Sequence, residues 1–222
     1  MKCAANNGER GGFTLIEVSI SVALLALILG GLGLALQVSF GLFRRTAMES
    51  DLNARCGRAL ERVVSEMRGT GLDSFAQDLT TPLGMPTVWS ETLEFGLGAD
   101  WVADAMVWGE GRRFTIQLAD GELDNDVDDD GDGLVDERAL VLIRRPGEID
   151  EDRVVIASNL CEYLEGEVPD GADNNGNGLV DERAFCVALA DAGIEIRLSL
   201  QRATSTGEIV VQTQTDVLQL RN

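Results

Sequence analysis

Three patterns of apolar and polar positions follow one another along the chain. Residues 18–36 carry no charge. At about 1.5 Å of rise per residue, a helix over this run reaches roughly the 30 Å of a bilayer's hydrocarbon core. Beyond it, Met48, Leu52, Cys56, Leu60, Val63, Val64 and Met67 recur at helical spacing, while Glu49, Asp51, Arg55, Arg58, Glu61, Arg62 and Arg68 fill the other faces. That is a helix with one side against a core. The two patterns join without a break, which predicts one helix from residue 13 to about 68, ended by Gly69 and Gly71. Short apolar or alternating runs then take over at 88–95, 105–108, 114–118, 139–143, 154–157, 184–189, 194–200 and 209–220. Stretches such as IEIRLSLQR alternate with period two, as antiparallel strands with one face on a core do. The expected fold is α+β: a long helix, hydrophobic then amphipathic, packed on an antiparallel sheet.

A single carboxylate, Glu17, stands just inside the apolar run, and Gly11 and Gly12 stand just before Phe13. A charge costs about 2.5–3.5 kcal/mol at the centre of a membrane helix on insertion scales, so a retained one usually has a partner. Cutting the chain between Gly12 and Phe13 would create one, an α-amino group one helical turn from Glu17. The stretch GFTLIEVSISVALLALI resembles the prepilin signature of type IV pilins and type II secretion pseudopilins. The resemblance covers the N-terminal run alone. It implies a leader over residues 1–12, cleavage after Gly12 by a prepilin peptidase, methylation of Phe13, and assembly through residues 13–43 with other pilin or pseudopilin subunits. In such a filament Glu17 neutralises the terminal amine of a neighbour. An ordinary secretory signal carries its cleavage site after the apolar core, and a plain membrane anchor has no need of Glu17 or of the glycine before it.

Gly30, Gly31 and Gly33 interrupt the helix, each at about 1 kcal/mol relative to alanine. Two readings stand side by side. Small residues let membrane helices approach closely; by the resemblance, the segment loosens when the subunit leaves the bilayer for the filament. Family members often carry a proline in this region, and this chain does not.

Composition narrows the partners. A formal net charge of −20 over 222 residues argues against nucleic acid, which is bound by clustered Lys and Arg. Histidine is absent, which removes the commonest general base and zinc ligand. Lys2 and Arg10 in the leader favour a cytoplasmic N-terminus, although Arg44 and Arg45 at the other end of the run work against that rule. The expected location is a single pass of the inner membrane, with a globular head over residues 44–222 in the periplasm or outside the cell, and then the filament. Cys3 is lost with the leader. Cys161 and Cys186 lie where disulfides persist and are expected to pair, leaving Cys56 as an unpaired, half-buried small hydrophobe.

The excess acid is concentrated in a repeat. DVDDDGDGLVDERAL at 126–140 recurs as GADNNGNGLVDERAF at 171–185. In the shared register the first copy offers Asp128, Asp130, Asp132, Asp136 and Glu137, and the second Asp173, Asn175, Asn177, Asp181 and Glu182. A twelve-residue EF-hand register starting at Asp126 would put Gly171 at the first ligand position of the second copy, so the shared register is preferred. Oxygen-bearing side chains at alternate positions converge on a hard cation, with glycine permitting the sharp turn. Without histidine or thiolate in either loop, the donor set favours Ca2+ over zinc or copper. The loops at 126–137 and 171–182 resemble the aspartate-rich calcium loops of extracellular modules and dockerin-like motifs, without an EF-hand's flanking helices. They are two candidate calcium sites, the second weaker because two carboxylates have become amides.

No nucleophile, base and orienting group stand together, and no GxSxG or Walker-type loop occurs, so the chain is not expected to be an enzyme. The leading expectation is a minor pilin or pseudopilin, J-like or W-like by the resemblance. The alternative is a membrane-anchored extracellular calcium-binding adhesion or surface module that never polymerises.

Overall fold

The computed structural model describes residues 12, 14–77, 92–103, 105–190 and 193–220. Helix α1 spans Leu15–Met67. Thr14 starts it: its N–H and hydroxyl both donate to Glu17 Oε2 at 2.8 Å, and Glu17 N–H donates back to Thr14 Oγ1 at 3.3 Å. This is a capping box, in which two otherwise unpaired backbone donors are satisfied reciprocally. Ser19, Ser21 and Ser39 turn their hydroxyls onto the carbonyls of Leu15, Glu17 and Ala35, so the polar side chains in the apolar run are satisfied within the helix itself.

The chain divides into two compact units, Met1–Thr46 and Ala47–Asn222. In the first, the apolar side chains from Leu15 to Phe43 are exposed along the helix, which is long and apolar enough to cross a membrane. In the second, the remainder of α1 buries Leu52, Cys56, Ala59, Leu60, Val63, Val64, Glu66 and Met67. This is the stripe the periodicity predicts.

Seven strands are found among the described residues: β1 (Thr92–Val102), β2 (Ala105–Leu118), β3 (Arg138–Arg144), β4 (Asp152–Leu160), β5 (Phe185–Ala190), β6 (Gly193–Ala203) and β7 (Ile209–Leu218). They form one antiparallel sheet in the order β1-β2-β3-β4-β6-β5, with β7 also paired to β6. The architecture is α+β, a long helix with an antiparallel sheet. A row of rings, Phe75, Phe95, Phe114 and Phe185, crosses the sheet with centroid separations of 6.0, 5.5 and 5.8 Å. These rings share the main core with the buried helix stripe.

Two expectations are corrected. The runs 105–108 and 114–118 are a single strand, and β1 continues past Phe95 to Val102; residues 88–91 lie outside the described residues. The distal part of this hairpin faces solvent, with Trp101 and Val102 exposed, so no apolar alternation marks it. Its glycines serve close cross-strand approach instead: a Cβ on Gly109 would lie 2.7 Å from Ala99 Cβ. The second correction concerns the cysteines. Cys161 and Cys186 are free thiols, not a disulfide. Cys161 belongs to the main core with the helix, whereas Cys186 packs with Leu179 and Ala188 in a separate cluster while its neighbours Phe185 and Val187 join the main core. Strand alternation thus sends Cys186 to the opposite face of the sheet. Burial pushes both thiols up to about 12. Cys56 is fully buried, not half-buried, and donates to the Leu198 carbonyl at 3.1 Å.

The last turn of α1 is fixed by charge. Glu66, buried near the helix end, pairs with Arg62, with Arg144 on β3 at 2.8 Å, and with Arg112 on β2. Burial pushes its carboxyl upward, but the Arg144 hydrogen bond and the charges of Arg112, Arg144 and Arg62 outweigh it, holding Glu66 below the usual range.

Candidate cation-binding loops

The repeated segments form the connections β2–β3 and β4–β5, and each runs directly into a strand. Their hydrogen bonds match at most positions. Asp128 accepts the N–H groups of Gly131 and Gly133 at 2.7 and 3.0 Å; Asp173 accepts those of Gly176, Asn177 and Gly178 at 2.6, 3.1 and 2.8 Å. Asp130 and Asn175 each accept from the residue two further on, as do Asp132 and Asn177. Such side-chain turns bend a loop tightly. The positive φ that follows is carried by Gly131 and Gly133 in one copy, Gly176 and Gly178 in the other. Leu134 and Leu179, the apolar residues of the shared GLVDERA, are buried and anchor each loop.

A further carboxylate ties each loop to the chain before it. Glu122 Oε1 accepts from Asp129 and Asp130 N–H at 3.2 and 3.0 Å, and its Oε2 from Asp136 N–H at 3.2 Å. Glu167 does the same with Asn174, Asn175 and Asp181 at 3.1, 2.9 and 3.1 Å. Both lie upstream of the repeat at 126–140 and 171–185. The signal was available upstream, where Gly121-Glu122 and Gly166-Glu167 stand in the same register.

In the first loop, carboxylate oxygens of Asp128, Asp130 and Asp132 lie within 4.8 Å of one another, as do those of Glu122, Asp130 and Glu137. Oxygens on opposite sides of a calcium ion, each about 2.3–2.6 Å from it, are separated by about that distance. Asp136 belongs to neither group; its carboxylate accepts the N–H groups of Asn125 and Asp126 at 3.1 and 2.8 Å and closes the loop's base. Asp181 holds Asp170 and Gly171 in the same way. Asp132 also accepts from Asn159 on β4 at 2.9 Å.

Glu137 is 2 % exposed, and its Oε2 is buried with no hydrogen-bond partner among the described residues. Burial, and then the negative charges of Asp132, Glu122 and Asp130 against the opposing backbone hydrogen bond, push its carboxyl up to about 6. An all-oxygen set with an unpartnered buried carboxylate fits a hard divalent cation. Its counterpart Glu182 is equally buried, and its Oε2 too lacks a partner, but its Oε1 accepts from Arg197 at 3.2 Å. Among the described residues, three converging acidic side chains occur only in the first loop.

At the N-terminal end Gly12 is exposed, and Phe13 lies outside the described residues. Glu17 is held at the helix start by Thr14, a role written in the sequence as T-x-x-E. No curated protein and no solved structure matches the chain significantly. Residues 9–33 match the family model described as the prokaryotic N-terminal methylation motif, and the chain therefore carries a pilin-like prepilin signal that runs into the start of its long helix.

Proposed function

We propose that this chain is a minor pilin or pseudopilin, a structural subunit of a type IV pilus or a type II secretion pseudopilus, with a head stabilised by calcium. The methylation motif at residues 9–33 carries the reading. The exposed apolar half of α1 supports it, since such a surface needs lipid or other subunits to cover it. In this reading the chain enters the inner membrane with its N-terminus in the cytoplasm, and a prepilin peptidase cuts after Gly12. The new amine on Phe13 is methylated, and the subunit joins its neighbours through residues 13–43. Glu17 Oε2, drawn back to Thr14 N–H, waits one residue from that new terminus. In the filament it meets the amine of an adjacent subunit. The head, on the far side of the membrane, carries the acidic loops.

Mass spectrometry of the N-terminus of protein recovered from membranes and from sheared filaments tests the reading. A methylated Phe13 terminus is expected, with Glu17→Ala reducing recovery in the filament fraction at least tenfold. An intact leader on the finished product overturns it and leaves a tethered cation-binding surface module.

A further inference from the structure

Resting on the reading of the acidic loops as cation sites, we infer that the two copies are not two sites. The first loop holds one divalent cation, calcium by its donor chemistry, on Glu122, Asp130 and Glu137. The second holds none, because the Arg197 guanidinium stands at Glu182 where the ion would be.

The argument starts from two equivalent buried carboxylates in near-identical backbones. Glu137 is 2 % exposed and Glu182 0 %. An ionised carboxylate taken out of water needs a compensating charge. Beside Glu182 that charge is Arg197 of β6, itself shared with Glu195 at 2.7 Å. Beside Glu137 stand two more acids, Glu122 and Asp130, with oxygens of all three within 4.8 Å. The second copy has Glu167 in the place of Glu122, but Asn175 replaces Asp130, so a neutral amide stands where the first loop has a charge; the Asp130 and Asn175 oxygens each accept the N–H two residues on, and the Asn175 nitrogen donates to the Glu165 carbonyl.

The acids of the first loop are thus arranged against their own repulsion, and of the two aspartates that become amides in the second copy, Asp130 is the one common to both converging groups. Three carboxylates can supply up to six oxygens, within the six to eight that calcium takes, and Asp128 and Asp132 flank Asp130 to extend the shell. Magnesium, which demands near-ideal octahedral geometry at shorter distances, fits a set this crowded with carboxylates less well.

Calcium titration of the full chain in detergent micelles, after chelation, by native mass spectrometry and calorimetry, decides the matter. One ion per chain is expected. Glu137→Gln and, on the loop's exposed side, Asp130→Asn should each weaken binding at least tenfold, whereas Glu182→Gln and Asn175→Ala leave it within twofold. Two ions per wild-type chain overturn the inference while keeping the calcium reading. No ion overturns both. A single ion lost on changing the second loop, or unmoved by both first-loop changes, overturns the assignment. None of these outcomes depends on which N-terminus the mature protein carries, so the filament reading stands or falls separately.

Discussion

The β2–β3 and β4–β5 loops share a glycine pattern, a leucine anchor and the same carboxylate ties to backbone N–H groups, yet they differ in what faces their innermost acid. Glu182 meets Arg197; Glu137 meets Glu122 and Asp130. The comparison separates two jobs that an acidic loop performs. Glu122 and Glu167, Asp136 and Asp181 shape the backbone in both copies, and this needs no ion. Among the described residues, only the first copy gathers three acidic side chains whose oxygens converge. Glu66 belongs with Glu182: it too is buried and already compensated, by three arginines. Glu66 and Glu182 are thus matched by arginines from within the head, whereas Glu137 lies among further acids.

The largest effect that can break this comparison comes from removing an internal partner. Arg197→Met leaves Glu182 buried without its arginine, and such a change costs roughly 3–5 kcal/mol. Denaturant melts of the full chain should show that loss with or without calcium; a loss that appears only in chelator would mean that the second loop also takes an ion. Next in size is the ion itself. Calcium at 100 times its dissociation constant should stabilise the chain by about 2.7 kcal/mol. Thermal melts should show this increment vanish in Glu137→Gln and persist in Glu182→Gln.

A smaller effect sharpens the shared half of the comparison. Glu122→Ala and Glu167→Ala each strip an acceptor from three backbone N–H groups, a loss of about 1–3 kcal/mol. In chelator the two should cost alike. With calcium, melts should find the first clearly the more damaging.

The smallest is a pH effect at the compensated acid. Glu66 is held below the ordinary carboxylate range, so the unfolded chain takes up its proton first as the pH falls. Its contribution is complete above the ordinary carboxylate pKa and is lost as pH drops through the folded value. Glu66→Gln should flatten that acid limb in melts run at descending pH, with no change in calcium stoichiometry.

The reasons why some elements were legible and others were not are physical. The helix stripe from Leu52 to Met67 and the alternation at the start of β6 follow from periods of 3.6 and two, local properties that survive any tertiary arrangement. The distal part of the β1–β2 hairpin has no core to face and so left no period to read. Glu122 lies ahead of the acidic block that marks the repeat, although Gly121-Glu122 and Gly166-Glu167 share its register. Asp136 stands in the ligand pattern by its charge, and its oxygens also accept the Asn125 and Asp126 N–H groups, a tie that spacing alone does not report.

By itself the sequence determined the apolar N-terminal helix, its capping box and methylation motif, and two loops of one design, because each rests on residues close together in the chain. Which buried acid would have an arginine was decided by the tertiary structure. Arg197 reaches Glu182 from β6, on the far side of the β5–β6 turn. The fate of the cysteines was decided there too, since alternation along β5 turns Cys186 away from the core cluster that holds Cys161. Spacing along the chain cannot report which face of a sheet a side chain joins, nor which charge from a later strand arrives beside it, because both depend on pairing register.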